Sequence, residues 1–122
     1  MEYRVLGRTG IRVSEIGFGC GNVGGLMVRG SHDEQVEAVS RALELGIDYF
    51  DTAPRYGDGR SEANLGQVLE ELGPEVTVAR ARGLWSVPSR QASNASGGTR
   101  WTCSSSTPGS RLSGTAKAGA GL

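Results

Sequence analysis

"GIDYFDTAPRYGDGRSEANLG" occupies residues 46–66, and its reading decides the fold. IDYFD (47–51) is a short apolar and aromatic run with a glycine before it and a proline soon after, which reads as a strand. Pro54 and Gly57 then shape a loop. Ser61 is placed to cap a helix in which Leu65, Val68, Leu69 and Leu72 share one face, and Gly73-Pro74 stops it. A strand followed by a crossover helix is the repeating unit of a parallel sheet. Asp51 would stand at the carboxyl end of its strand, with Tyr56 in the loop beyond. In parallel α/β architectures, active sites form along that edge.

The flanking residues continue the pattern. Tyr3–Leu6 and Ile11–Val13 lie on either side of GRTG, as the arms of a small hairpin. Glu15–Phe18 is a short run ending in glycines and reads as a first buried strand. Ser31 and Glu34 have capping-box spacing, Val36, Val39 and Leu43 follow at helical intervals, and Gly46 provides the stop. Val76–Ala79 begins a third strand. The order is hairpin, then strand, helix, strand, helix, strand.

Asp51 and Tyr56 suggest proton chemistry. A tyrosine hydroxyl can act as a general acid, but its ordinary pKa is about 10. To work near neutrality it needs a neighbouring cation, typically a lysine, that favours the tyrosinate. An aspartate beside it can hold that lysine by a salt bridge. The plainer reading is a strand-end aspartate capping a turn and a loop aromatic with no reactive role.

Three stretches decide between these readings: RVLGRTGIRVSEIGFG (4–19), IGFGCG (16–21) and GIDYFDTAPRYGDGRSEANLG (46–66). Together they resemble the N-terminal third of an aldo-keto reductase, over residues 2–79. The resemblance implies the first part of a (β/α)8 barrel, comprising the hairpin that closes its bottom and about two and a half βα units. It implies NADP(H) as hydride carrier and a small aldehyde or ketone as substrate. It places Asp51 and Tyr56 in the first two positions of an Asp-Tyr-Lys-His catalytic tetrad. Gly19, Cys20 and Asp51 match positions that line the nicotinamide site, and no metal is implied. The tetrad lysine should follow the third strand, where this chain reads VARARGLW (78–85). The only lysine in the chain is Lys117, and the only histidine is His32. The chain therefore carries half of the tetrad and is expected to be inactive as a reductase.

Beyond Ala79 the composition changes. All 13 acidic residues lie at or before Glu75, where 7 arginines leave a net charge of −6; residues 76–122 hold 5 arginines and Lys117 with no acid, a net +6. Residues 80–122 carry nine serines, seven glycines and few large aliphatics. Such a segment buries too little apolar area to offset its ordering entropy and reads as disordered. The expected organisation is a partial barrel over 1–79 and a disordered Ser/Gly/Arg-rich tail over 80–122.

The change points to a shift of reading frame near residues 79–84. RWTCSSST (100–107) can be encoded CGG TGG ACC TGC TCC AGC TCC ACC. Read from the third base, this gives VDLLQLH, which resembles the family's fourth strand and its terminal catalytic histidine. The aspartate of that reading is forced by a tryptophan codon followed by any threonine codon. The other positions depend on GC-rich codon choice.

Other signals are weaker. GCGNVG (19–24) fits the GxGxxG dinucleotide fingerprint, but Gly24, Gly25 and Gly30 delay the helix to about Ser31, against a Rossmann reading. His32 beside Asp33 and Glu34 reads as a solvated helix start, and Cys20 as a small packed residue rather than a reactive thiol. No run of 18 apolar residues occurs, so no membrane span is expected, and the two cysteines in unlike contexts fit a reducing cytoplasm. The alternative to an enzyme fragment is a small α/β interaction protein whose basic tail binds nucleic acid or an acidic partner. The tail's isolated Trp85 and Trp101 form no stacking array, against nucleic acid. Open strand edges favour aggregation or self-association.

Overall fold

The computed structural model describes residues 1–80 and 83–87, and the backbone of 102–103. Strands β1 (Tyr3–Val5) and β2 (Arg12–Ser14) form the expected antiparallel hairpin, with Tyr3 opposite Ser14. Polar contacts pin it to the rest of the chain. The Ser14 amide donates to Asp48 Oδ1 at 2.7 Å, and the Asp48 amide donates back to Ser14 Oγ at 3.2 Å. The Tyr3 hydroxyl donates to the Gly46 carbonyl at 2.9 Å, with the Arg12 guanidinium 4.1 Å from its ring centre. The hairpin thus covers the amino end of the strand that carries Asp51.

The first sheet strand, β3, spans Phe18–Gly19 rather than Glu15–Phe18. Ser14 Oγ donates to the Ile16 carbonyl at 2.7 Å, which bends the chain there and leaves Ile16 61% exposed. A single helical turn, α1 (Leu26–Arg29), follows the glycine loop, a feature not expected from the sequence. Gly25 enters it at φ 73°, and the Gly30 amide closes it on the Leu26 carbonyl. The helix does not run on from there. It begins again as α2 (His32–Glu44), on the expected capping box, with the Ser31 amide donating to Glu34 Oε2 at 2.8 Å. Gln35 is buried because its side-chain amide donates to the carbonyls of both Leu26 and Gly30 at 3.0 Å.

Strand β4 (Tyr49–Asp51), helix α3 (Arg60–Leu72) and strand β5 (Val76–Arg80) complete the two crossover units. Gly73, at φ 64°, ends α3 as expected. β3, β4 and β5 lie parallel and adjacent. The core sits between this sheet and the helices: Phe50 and Val78 from the strands, Val39 from α2, and Leu65, Val68 and Leu69 from α3. Each is at most 1% exposed. The Phe18 and Phe50 rings pack at 5.4 Å.

The disorder expected over 80–122 does not extend to Arg80, which ends β5, nor to two further segments. Gly83–Val87 forms β6, antiparallel to β5, with Arg80 opposite Gly83 and Val76 opposite Val87. Thr102–Cys103 forms a short β7 on the far side of β6. Gly83 opens β6 at φ 136°, and Val87 reaches the core at 3% exposure. An alternation of apolar residues at 85 and 87 suffices for a strand once a formed neighbour offers a ladder. The rest of the expectation for 80–122 falls on residues outside those described.

Candidate active site

Asp51 ends β4 and is exposed at the carboxyl edge of the sheet, paired in register with Gly19 on one side and Ala79 on the other. The Cys20 amide donates to the Asp51 carbonyl at 2.9 Å, and the Thr52 amide to the Ala79 carbonyl at 2.9 Å. Three strand ends are therefore tied side by side at the Asp51 backbone. Gly19 is exposed, and a Cβ built on it would meet nothing within 4 Å, so the space beside Asp51 is open there.

Tyr56 follows in a turn that its own amide closes on the Ala53 carbonyl at 3.0 Å. Its ring lies over the β3–α1 loop: a Cβ on Gly21 would sit 3.7 Å from the ring carbon that bears the hydroxyl. Asn22 fastens the same two loops, its Oδ1 accepting from the Gly57 amide at 2.9 Å. The loop needs this support, because Gly57, Asp58 and Gly59 take left-handed conformations in succession, at φ 61°, 53° and 90°. For Asp58 this costs roughly 1 kcal/mol. Gly57 also packs under Val28, where a Cβ would come within 2.5 Å of its side chain.

Ser61 differs from its sequence reading. Gly59, not Ser61, is the N-cap of α3, and no side chain caps the helix. Loop carbonyls take the first amides instead: Arg60 donates to Gly57 at 3.2 Å and Ser61 to Tyr56 at 3.2 Å. Ser61 is thereby turned inward to 0% exposure, where its hydroxyl donates to the Cys20 carbonyl at 2.8 Å and lies 3.0 Å from the Thr52 hydroxyl.

Cys20 is a buried free thiol at 1% exposure. Burial, with the Asp51 carboxylate nearby, pushes its pKa up to about 12. Cys20 belongs to the buried core cluster, and its amide is bonded to the Asp51 carbonyl. At the end of β5, Arg80 is committed to Glu62 on α3: Nη2 donates to Oε2 at 3.1 Å, and Nε lies 3.0 Å from Oε1. The Arg80 guanidinium also lies 5.7 Å from the Trp85 ring centre. His32 pairs with Glu71 at 2.7 Å on the exposed surface between α2 and α3. Among the described residues no cluster of His, Cys, Asp and Glu could hold a metal ion, and no helix is long and apolar enough to cross a membrane.

The sequence profile of the Aldo/keto reductase family matches residues 15–100. The chain belongs to that family. The match passes residue 79, where the motif-based resemblance ends. Over 72 residues the chain is 43% identical to L-galactose dehydrogenase of Arabidopsis thaliana, covering 59% of this chain and 23% of that protein. Over 82 residues it is 42% identical to aldo-keto reductase YhdN of Bacillus subtilis, covering 66% of this chain and 25% of that protein. The holo form of aldo-keto reductase AKR11C1 from Bacillus halodurans superposes with a TM-score of 0.56 at 29% identity, covering 83% of this chain and 30% of that one. The chain thus spans about a quarter of these curated aldo-keto reductase family relatives and has the α/β fold of the corresponding part of a reductase barrel.

Proposed function

We propose that this oxidoreductase-family chain carries the Asp51–Tyr56 half of a site for NADP(H)-dependent reduction of aldehydes or ketones, and that alone it does not turn over. The carrying observation is the juxtaposition at one sheet edge of Asp51, the open surface at Gly19 and the Tyr56 ring over Gly21. That open edge has room for a nicotinamide ring, with Gly19, Cys20 and Asp51 beside it. NADP(H), when bound, supplies the hydride. Tyr56 would give its hydroxyl proton to the carbonyl oxygen, and Asp51 would hold a lysine ammonium that favours the tyrosinate afterwards.

Lys117 is the only lysine, and it lies outside the described residues. Arg80, the cation at the end of β5, is held by Glu62. Among the described residues no lysine is available to Tyr56 for general-acid work near neutral pH. A fluorescence titration with NADPH tests the cofactor half. Weak binding that is lost in Asp51→Ala supports the reading, and binding indifferent to Asp51 sinks it.

The missing lysine and histidine fit a change of reading frame near residues 79–84. The nucleotide sequence across codons 78–122 tests this directly. A lysine codon after the third strand and VDLLQLH in another frame are expected; their absence overturns the frame change.

A further inference from the structure

We infer that Ser61 is the positioning residue that couples Tyr56 to the strand end bearing Asp51. The inference rests on the reading of Asp51 and Tyr56 as the reactive pair. Ser61 joins three segments through one residue. Its amide donates to the Tyr56 carbonyl at 3.2 Å, and its hydroxyl donates to the Cys20 carbonyl at 2.8 Å. The same hydroxyl lies 3.0 Å from Thr52 Oγ1. A hydroxyl has one proton, and the Cys20 carbonyl can only accept it. The Ser61 oxygen must therefore accept from Thr52, which fixes the direction of both bonds.

Cys20 in turn donates its amide to the Asp51 carbonyl. The path from the Tyr56 backbone to that of Asp51 thus runs Tyr56, Ser61, Cys20, Asp51, each step a hydrogen bond. Thr52, next to Asp51, locks the node from the side. Ser61 is 0% and Thr52 2% exposed, so no solvent replaces a lost partner. A helix cap would serve α3 alone, and Ser61 does not cap it. Its bonds instead set where the Tyr56 loop sits relative to the ends of β3 and β4.

The test reads position rather than turnover, so it can fail without touching the oxidoreductase reading, and absence of turnover does not touch it. The chain has three tyrosines: Tyr3, Tyr49 and Tyr56. Tyrosine-labelled aromatic NMR spectra of the full chain, assigned by single Tyr→Phe variants, report each ring separately. In Ser61→Ala the Tyr56 resonance is expected to shift or broaden while Tyr3 and Tyr49 hold still. Thr52→Val keeps the shape and removes one donor, so a smaller change at Tyr56 is expected; it also carries the test if Ser61→Ala does not fold. Ser14→Ala removes another buried hydroxyl, at the hairpin, and should move Tyr3 or Tyr49 and spare Tyr56. An unmoved Tyr56 in the folded Ser61 or Thr52 variant overturns the inference. So does an equal shift of all three rings, which marks a general structural role.

Discussion

Cys20 illustrates how position decides chemistry at the scale of one residue. Its thiol pKa is raised from an ordinary 9.0 to about 12, so the folded chain favours the protonated form. The stability this contributes is fully present below about pH 9 and is lost as pH rises toward 12. Alkylation at pH 8, mapped by mass spectrometry to distinguish Cys20 from Cys103, should modify Cys20 more than about tenfold faster in urea than in the native chain. Equal rates would contradict its burial. Phe50, at 0% exposure, is the largest fully buried side chain among the described residues; Phe50→Ala should cost about 3–5 kcal/mol in denaturant unfolding. A long local motif fixes the spacing of Asp51 and Tyr56, which the structure places at the end of β4 and in the turn beyond it. The inward turn of Ser61 was not legible in the sequence. A serine that opens a helix pattern reads as a cap, and only the left-handed run Gly57–Gly59 moves the helix start back so that its hydroxyl meets a residue 41 positions away. Gly21 and Asn22, which support Tyr56 from the other loop, left no signal beyond a glycine-rich stretch.

At the scale of elements, the helices were the most readable parts, because their start and stop chemistry is local. The Ser31–Glu34 box is an example. Backbone and hydroxyl donors of Ser31 lower the Glu34 carboxyl pKa, so this support is present above the ordinary carboxylate range and fades as pH falls below it. Ser31→Ala should destabilise the chain by about 1 kcal/mol, seen as a lower urea midpoint. The short strands were less readable. β3 begins at Phe18 because Ser14 reaches forward to Ile16 and across to Asp48, contacts that sequence spacing does not reveal. Removing that clamp in Asp48→Ala should cost about 1–3 kcal/mol, since the Ser14 amide loses its acceptor.

For the molecule as a whole, the family assignment followed from sequence, while β6 required the fold. Its longer ladder, five residue pairs against β5, forms only when β5 is already in place. β6 covers the β5 edge, which would otherwise present unpaired amides and carbonyls to other chains. Ser86→Pro should weaken that cover and raise the aggregated fraction in gel filtration.

The central claim is that Asp51 and Tyr56 form half of a reductase site that needs a lysine, which no described residue of this edge supplies. The most direct measurement is NADPH consumption by the purified chain with a panel of aldehydes and ketones, beside Tyr56→Phe. The expected result is a rate no higher than that of Tyr56→Phe. A rate clearly above that control and abolished by the substitution would contradict the claim.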